Sequence, residues 1–216
     1  MSKPLNIIIS GGGTGGHLFP ALAIGDEFQI QNPNTFIHYI GSKFGIEKDV
    51  LPIKNVPHSL LPIRGLQRRF NFDSLGKNIL LPIRIISSLS KVRQLFNEIK
   101  PQLVIGTGGY ASALPLREGI RREIPTLIQE QNSFPGITNR ILANRVNKVC
   151  AGFPGLDKWF PKDRIVETGN PLREGVLKLS DSKSSPSKSV ATSHFKIDTY
   201  KPVVFIMGGS LGALSM

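Results

Sequence analysis

The chain is 216 residues long, 40% hydrophobic and carries a formal net charge of +12: enough apolar content for a real core, and a charge excess that favours an anionic partner such as a nucleotide, a nucleic acid or an acidic lipid surface. Its single cysteine, Cys150, excludes an internal disulfide and a cysteine-cluster metal site, which fits a reducing, cytoplasmic setting. No apolar stretch reaches the roughly 20 residues of a membrane-spanning helix, and Met1-Ser2-Lys3-Pro4 leads into a strand pattern without a signal-peptide core.

The elements alternate. Leu5 to Ser10 reads as a buried strand, and His17 to Gln31 as a helix with apolar residues at Leu18, Ala21, Leu22, Ile24 and Phe28 and with Pro20 tolerated in its first turn. A second strand, Thr35 to Ile40, closes on Gly41-Ser42, and a third apolar run covers Val56 to Ile63. Helical spacing then extends from about Ser74 to Lys100, where Pro82 should kink or split the helix. Gln102 to Ile105, Thr126 to Gln129, Lys148 to Ala151 and Arg164 to Glu167 are further strands, separated by helical stretches near Ser112 to Arg122 and Ile137 to Arg145. This alternation predicts an α/β fold: a Rossmann-like parallel sheet with helices on both faces, and ligands at the carboxyl ends of the strands.

Past Ser180 the text changes. Ser180 to Ser189 holds six serines in ten residues, the composition of a linker or long surface loop. Lys201-Pro202 then introduces a new strand, Val203 to Met207. The expected organisation is a first domain over 1–176, a serine-rich linker over 177–200 and, over 201–216, the start of a second domain that is truncated.

Three glycine-rich loops follow strands: Gly11-Gly12-Gly13-Thr14-Gly15-Gly16-His17, Gly106-Thr107-Gly108-Gly109-Tyr110 and Gly208-Gly209-Ser210-Leu211-Gly212-Ala213. Glycine lets the backbone approach a ligand, and the N–H groups of a following helix favour an anion, so a diphosphate-bearing ligand is the first inference. Gly11, Gly13 and Gly16 satisfy the spacing of a dinucleotide fingerprint, yet the second strand ends His38-Tyr39-Ile40-Gly41-Ser42-Lys43, with no carboxylate for the ribose. None of the three loops ends in the Gly-Lys-Ser/Thr of a Walker loop.

Gly11 to Ala23 resembles the opening motif of the MurG family, bacterial UDP-N-acetylglucosamine transferases of peptidoglycan synthesis. Four more blocks are similar and in the same order: Gly106 to Tyr110, Glu130-Gln131-Asn132, Gly169-Asn170-Pro171-Leu172-Arg173 and Gly208 to Ala213. The family commonly has His before Glu-Gln-Asn, where this chain has Gln129.

The resemblance implies the amino-terminal domain of a GT-B fold and an inverting, metal-independent, cofactor-free transfer from UDP-GlcNAc to the C4 hydroxyl of lipid I, an undecaprenyl-linked acceptor. Such a reaction must remove a proton from the attacking hydroxyl and absorb charge on the leaving diphosphate. His17, the residue type whose ordinary pKa lies nearest neutrality, is the candidate base. Capping the turn or binding a phosphate is the alternative role for it. Glu130 is a second candidate for the chemistry. Thr14, Gly15, Gly16, Asn132, Arg173 and Ser210 match donor-contacting residues, and Gly108, Gly109 and Tyr110 fall on the acceptor side. His38, His58 and His194 match no motif and read as structural or exposed, and Cys150 reads as a small buried hydrophobe.

Between His58 and Lys100 lie Arg64, Arg68, Arg69, Lys77, Arg84, Lys91, Arg93 and Lys100, interleaved with Leu66, Phe70, Phe72, Leu75, Ile79, Leu80 and Ile83. This pattern suits peripheral docking on the anionic cytoplasmic face of a bacterial inner membrane, and equally a solvated face over a core helix. No nucleic-acid module is recognisable. Two other functions stay open at this level: the acceptor half of a split UDP-GlcNAc transferase, and a dinucleotide-dependent oxidoreductase.

Overall fold

The computed structural model describes residues 4–65, 81–180, 187–198 and 200–204. They divide into two compact units, residues 1–171 and 172–216.

The first unit is built on seven parallel strands: β1 (Asn6–Gly11), β2 (Phe36–Ser42), β3 (His58–Leu61), β4 (Leu103–Gly108), β5 (Thr126–Glu130), β6 (Lys148–Ala151) and β7 (Ile165–Glu167). Their order is β3-β2-β1-β4-β5-β6-β7. The chain winds outward from β1 to β3 and then returns to the other side of β1, so β1 and β4 are neighbours at the point where the winding reverses. In open parallel sheets that reversal leaves a crevice at the strand carboxyl ends.

β1 explains why both faces are covered. Ile7, Ile8 and Ile9 are all fully buried, a continuous apolar run rather than an alternating one. Ile7 and Ile9 pack with Ile105 against Leu18, Ala21 and Leu22 of α1 (Gly15–Gln31) and Leu51 of α2 (Glu47–Ile53). Ile8 and Val104 face the opposite layer, which is made by Val92, Leu95 and Phe96 of α3 (Leu81–Ile99), Leu114 and Leu116 of α4 (Ala113–Arg121) and Leu142 of α5 (Ile137–Leu142). Burying each such aliphatic side chain contributes about 2 kcal/mol. Between α3 and α4 the buried Glu118 takes Arg121 Nη2 at 2.6 Å and Arg122 Nε at 2.7 Å, while Arg122 Nη2 reaches Arg93 O at 3.2 Å. The hydrogen bond from Arg121, opposed by burial, brings the Glu118 carboxyl down to about 2.

Two local readings change. α1 starts at Gly15, two residues before the expected His17, so Pro20 falls in its second turn and removes the intrahelical donor for the Gly16 carbonyl. The seven-residue α2, with Pro52 inside it, was not expected from the sequence at all. Pro82 is the second described residue of α3, and the part of the expected helix before residue 81, which the kink concerned, lies outside the described residues. On the α1 side of the sheet, Cys150 is half-buried, lining an apolar groove of about 230 Å³ with Ile24, Phe28, Leu127 and Pro171. Burial pushes its thiol pKa up.

The second unit contains α6 (Glu174–Ser180) and α7 (Lys188–His194). Ser187 caps α7 by accepting the Val190 N–H at 3.4 Å, so the end of the serine-rich stretch begins a helix. Residues 202–204, expected to open a strand, have no regular structure. The rest of that strand and the third glycine loop, Ser210 included, lie outside the described residues.

Candidate active site

The first two glycine loops leave the adjacent strands β1 and β4 and touch. Gly12 N–H donates to Gly108 O at 3.3 Å, and Gly109, at φ +73°, lies so close that a Cβ there would meet Gly12 O at 2.0 Å. Gly108 and Gly13 also have positive φ, +103° and +94°, which favours glycine at both. The Tyr110 ring packs over this junction, with Cε1 3.1 Å from where a Gly13 Cβ would stand.

His17 sits in the first turn of α1, part-buried, with Thr107 gripping it at both ends. Thr107 Oγ1 donates to His17 O at 2.8 Å, and Thr107 O lies 3.0 Å from His17 Nδ1. Gly11 leaves the room for that hydroxyl, since a Cβ there would stand 1.8 Å from Thr107 Oγ1. Gln131 Oε1 also lies 3.0 Å from Nδ1. Both atoms facing Nδ1 are oxygens, so Nδ1 carries the proton and donates, and Nε2 keeps its lone pair. A neutral imidazole in that tautomer can accept a proton through Nε2.

The phosphate cradle expected of the first loop is narrower than its glycines suggest. Gly12 N–H is spent on Gly108 O, and Gly13 N–H donates to Glu47 Oε1 at 2.6 Å. Glu47 is fully buried at the start of α2, in space left by three glycines: a Cβ at Gly12, Gly41 or Gly45 would come within 1.4, 2.7 or 1.9 Å of its side chain. Sequence reasoning missed it, because glycines that seat a carboxylate look the same as glycines that cradle a ligand. The orphan N–H groups of the first α1 turn, around Thr14, Gly15 and Gly16, are what the loop offers an anion; Thr14 and Gly16 are accessible and Gly15 is buried.

Glu130 ends β5 and is 1% exposed. Four donors occupy its carboxylate: Asn132 N and Nδ2 on Oε1, both at 3.0 Å, and Gly136 N at 3.0 Å and Asn139 Nδ2 at 2.8 Å on Oε2. A carboxylate saturated in this way shapes the 131–136 loop; its oxygens are committed to holding backbone and amide N–H groups, not turned toward a reactant. Asn132 is exposed at the loop it forms. Arg173 belongs to the second unit. His38 is half-buried, bonded to Ser59 Oγ at 3.0 Å, and its pKa falls to about 4, chiefly through burial and then through the charges of His58 and Lys91. Among the described residues no group of three His, Cys, Asp or Glu side chains could hold a metal ion, and no helix is long and apolar enough to cross a membrane.

Residues 7–151 match the glycosyltransferase family 28 N-terminal domain. The chain is 41% identical over 213 residues, 99% of its length and 56% of the relative's, to a Christiangramia forsetii protein named UDP-N-acetylglucosamine–N-acetylmuramyl-(pentapeptide) pyrophosphoryl-undecaprenol N-acetylglucosamine transferase. A Bacteroides thetaiotaomicron protein of the same name is 39% identical, over 99% of this chain and 55% of its own. Among solved structures, Acinetobacter baumannii MurG matches with a TM-score of 0.63 and 26% identity, over 83% of this chain and 50% of that one. A Rickettsia africae glycosyltransferase shares the fold at a TM-score of 0.61 and 9% identity, over 93% of this chain and 52% of that one. The sheet is thus the Rossmann-like, amino-terminal kind of GT-B domain, and the chain spans about half the length of the curated relatives it matches. With the domain match covering most of the chain, the protein belongs to glycosyltransferase family 28.

Proposed function

We propose that this chain forms the acceptor-side half of a UDP-GlcNAc transferase that acts on lipid I, the undecaprenyl-linked N-acetylmuramyl acceptor, at the cytoplasmic face of a bacterial inner membrane. The observation that carries the reading is His17, anchored through Nδ1–H at the β1/β4 reversal. Its Nε2 takes the proton of the acceptor C4 hydroxyl while that oxygen bonds to the anomeric carbon from the side opposite UDP. The glycosidic C–O bond breaks, its electron pair leaves with UDP, and the configuration inverts. The reading requires no cofactor.

Thr14, Gly15, Gly16 and Asn132 serve the donor, Arg173 and Ser210 its nucleotide or phosphates, and Gly108, Gly109 and Tyr110 the acceptor. Glu130 acts beneath them as a positioning residue, because its oxygens are already saturated. Membrane docking draws support from α3, where Ile83 and Ile86 are 66% and 69% exposed beside Arg84. Arg64 and Arg84 both lie over the Phe44 ring, 3.8 and 5.3 Å from its centroid. Residues 66–80 of the basic stretch lie outside the described residues.

The test is a chimera joining this chain to the remaining carboxy-terminal residues of the Christiangramia forsetii relative. With UDP-GlcNAc and lipid I it should form the GlcNAc-bearing lipid, while the 216-residue chain alone should form none. A folded chimera that binds UDP-GlcNAc but never transfers it would overturn the reading.

A further inference from the structure

The hydrogen bonds around His17 continue into a small closed network. Gln131 presents Oε1 to His17 Nδ1, while its amide Nε2 donates to Thr107 O at 2.8 Å, to Gln129 O at 3.1 Å and to Gln129 Oε1. Turning that amide over would set a carbonyl oxygen against three other oxygens, so only the imidazole side is left for Oε1. Gln129 is 2% exposed and is held in turn: its Nε2 donates to Asn170 Oδ1 at 3.3 Å, and Asn170 Nδ2 donates to the Gln131 carbonyl at 3.1 Å. Gly152 leaves the space for Asn170, since a Cβ there would stand 2.0 Å from Asn170 Oδ1.

We propose that Gln131 is a positioning residue: oriented by Gln129 and Asn170, it holds the His17 imidazole in the Nδ1–H tautomer and so keeps Nε2 unprotonated. An unoriented glutamine could serve either tautomer, giving its oxygen to Nδ1–H or its NH₂ to a bare Nδ1. The ring through Gln129 and Asn170 removes the second choice. Thr107 O favours the same tautomer and is itself one of the three oxygens that face Gln131 Nε2. The consequence for turnover rests on the reading of His17 as the base; the tautomer itself does not.

The tautomer is read directly from the ring-nitrogen shifts of the ¹⁵N-histidine-labelled 216-residue chain, above the pH at which the imidazoles titrate, with His17→Asn assigning the signal among the four histidines. The expected state is Nδ1–H. In Gln131→Met the ratio of Nδ1–H to Nε2–H should fall about fivefold, the worth of one net hydrogen bond, and in Gln129→Leu, which removes one of the three oxygens facing Gln131 Nε2 together with the link to Asn170, it should fall by a smaller factor. Gln129→His, which returns a ring nitrogen as acceptor, should stay near wild type. In the chimera kcat should fall only in proportion to the Nδ1–H fraction lost in the first two variants, with KM for UDP-GlcNAc little changed. An Nε2–H tautomer in the wild-type chain, or a ratio unmoved in both variants, overturns the proposal. A clear loss of the Nδ1–H fraction with no matching fall in kcat would uphold the role of Gln131 and remove His17 from the chemistry.

Discussion

Gly109→Ala strikes the point where the two glycine loops meet. The added Cβ would stand 2.0 Å from Gly12 O and 3.2 Å from His17 Cδ2, so the loops must part by about 1 Å to reach even the 3.0 Å limit of real contacts. A φ of +73° with ψ of 171°, a region essentially reserved for glycine, costs alanine about 1–3 kcal/mol. Losing the 3.3 Å Gly12–Gly108 hydrogen bond costs about 1 kcal/mol, and the displaced backbone about 1–3 kcal/mol more. The sum, about 3–7 kcal/mol, is a large share of a typical stability of 5–15 kcal/mol. For a domain of this size it should lower Tm by roughly 10 °C. Gly136→Ala is the control: nothing lies within 4 Å of its Cβ position, φ is −63°, and the N–H that Glu130 accepts is kept, so Tm should hold within about 2 °C. Differential scanning fluorimetry of the three proteins decides it. If Gly109→Ala melted within about 2 °C of wild type, the loops would not be packed as described, and the placement of His17 that depends on them would fall too.

Two further outcomes follow from surface and buried charge. His38 has its folded pKa depressed to about 4 against about 6.5 unfolded, so the unfolded state binds the proton first as pH drops. The stability it contributes is therefore full above about pH 6.5 and is lost as pH falls toward and through 4. Full burial would make this about 3 kcal/mol, and screening at a part-exposed ring reduces it to about 1–2 kcal/mol. Urea unfolding at pH 7 and 4.5 should show that loss in wild type and a flatter profile in His38→Gln; parallel profiles would exclude His38 as the source. For the basic stretch, co-sedimentation with liposomes should require anionic lipid, weaken with salt and disappear when Arg68, Arg69 and Arg84 are all changed to Glu. Binding unchanged by that triple substitution would assign α3 to a core helix with a solvated face.

Much of the fold was legible because a buried parallel sheet writes itself as short apolar runs: Leu5 to Ser10 and Lys148 to Ala151 appear as strands Asn6–Gly11 and Lys148–Ala151. Helix α2 was not, since seven residues ending in Pro-Ile are too few to show a period and the proline argues against a helix. The motifs located His17, Glu130 and Asn132 but not the direction of their hydrogen bonds. Which atom faces Nδ1 is decided by Thr107 and Gln131, 90 and 114 residues away, and the saturation of Glu130 by partners on the following loop and α5. Gly12, Gly41 and Gly45 show the deeper limit. Each looks like a turn or ligand glycine, and together they make room for the Glu47 side chain, a purpose visible only once the loop after β1 has been brought against the end of β2 and the turn that follows it.

The central claim, that His17 carries the proton transfer of a family 28 sugar transfer, is tested most directly by kcat of the chimera with UDP-GlcNAc and lipid I before and after His17→Ala. The account predicts a fall of at least about a hundredfold, the usual loss with a general base, alongside a much smaller change in KM. A His17→Ala chimera that folds, binds UDP-GlcNAc and turns over at near wild-type kcat would contradict it.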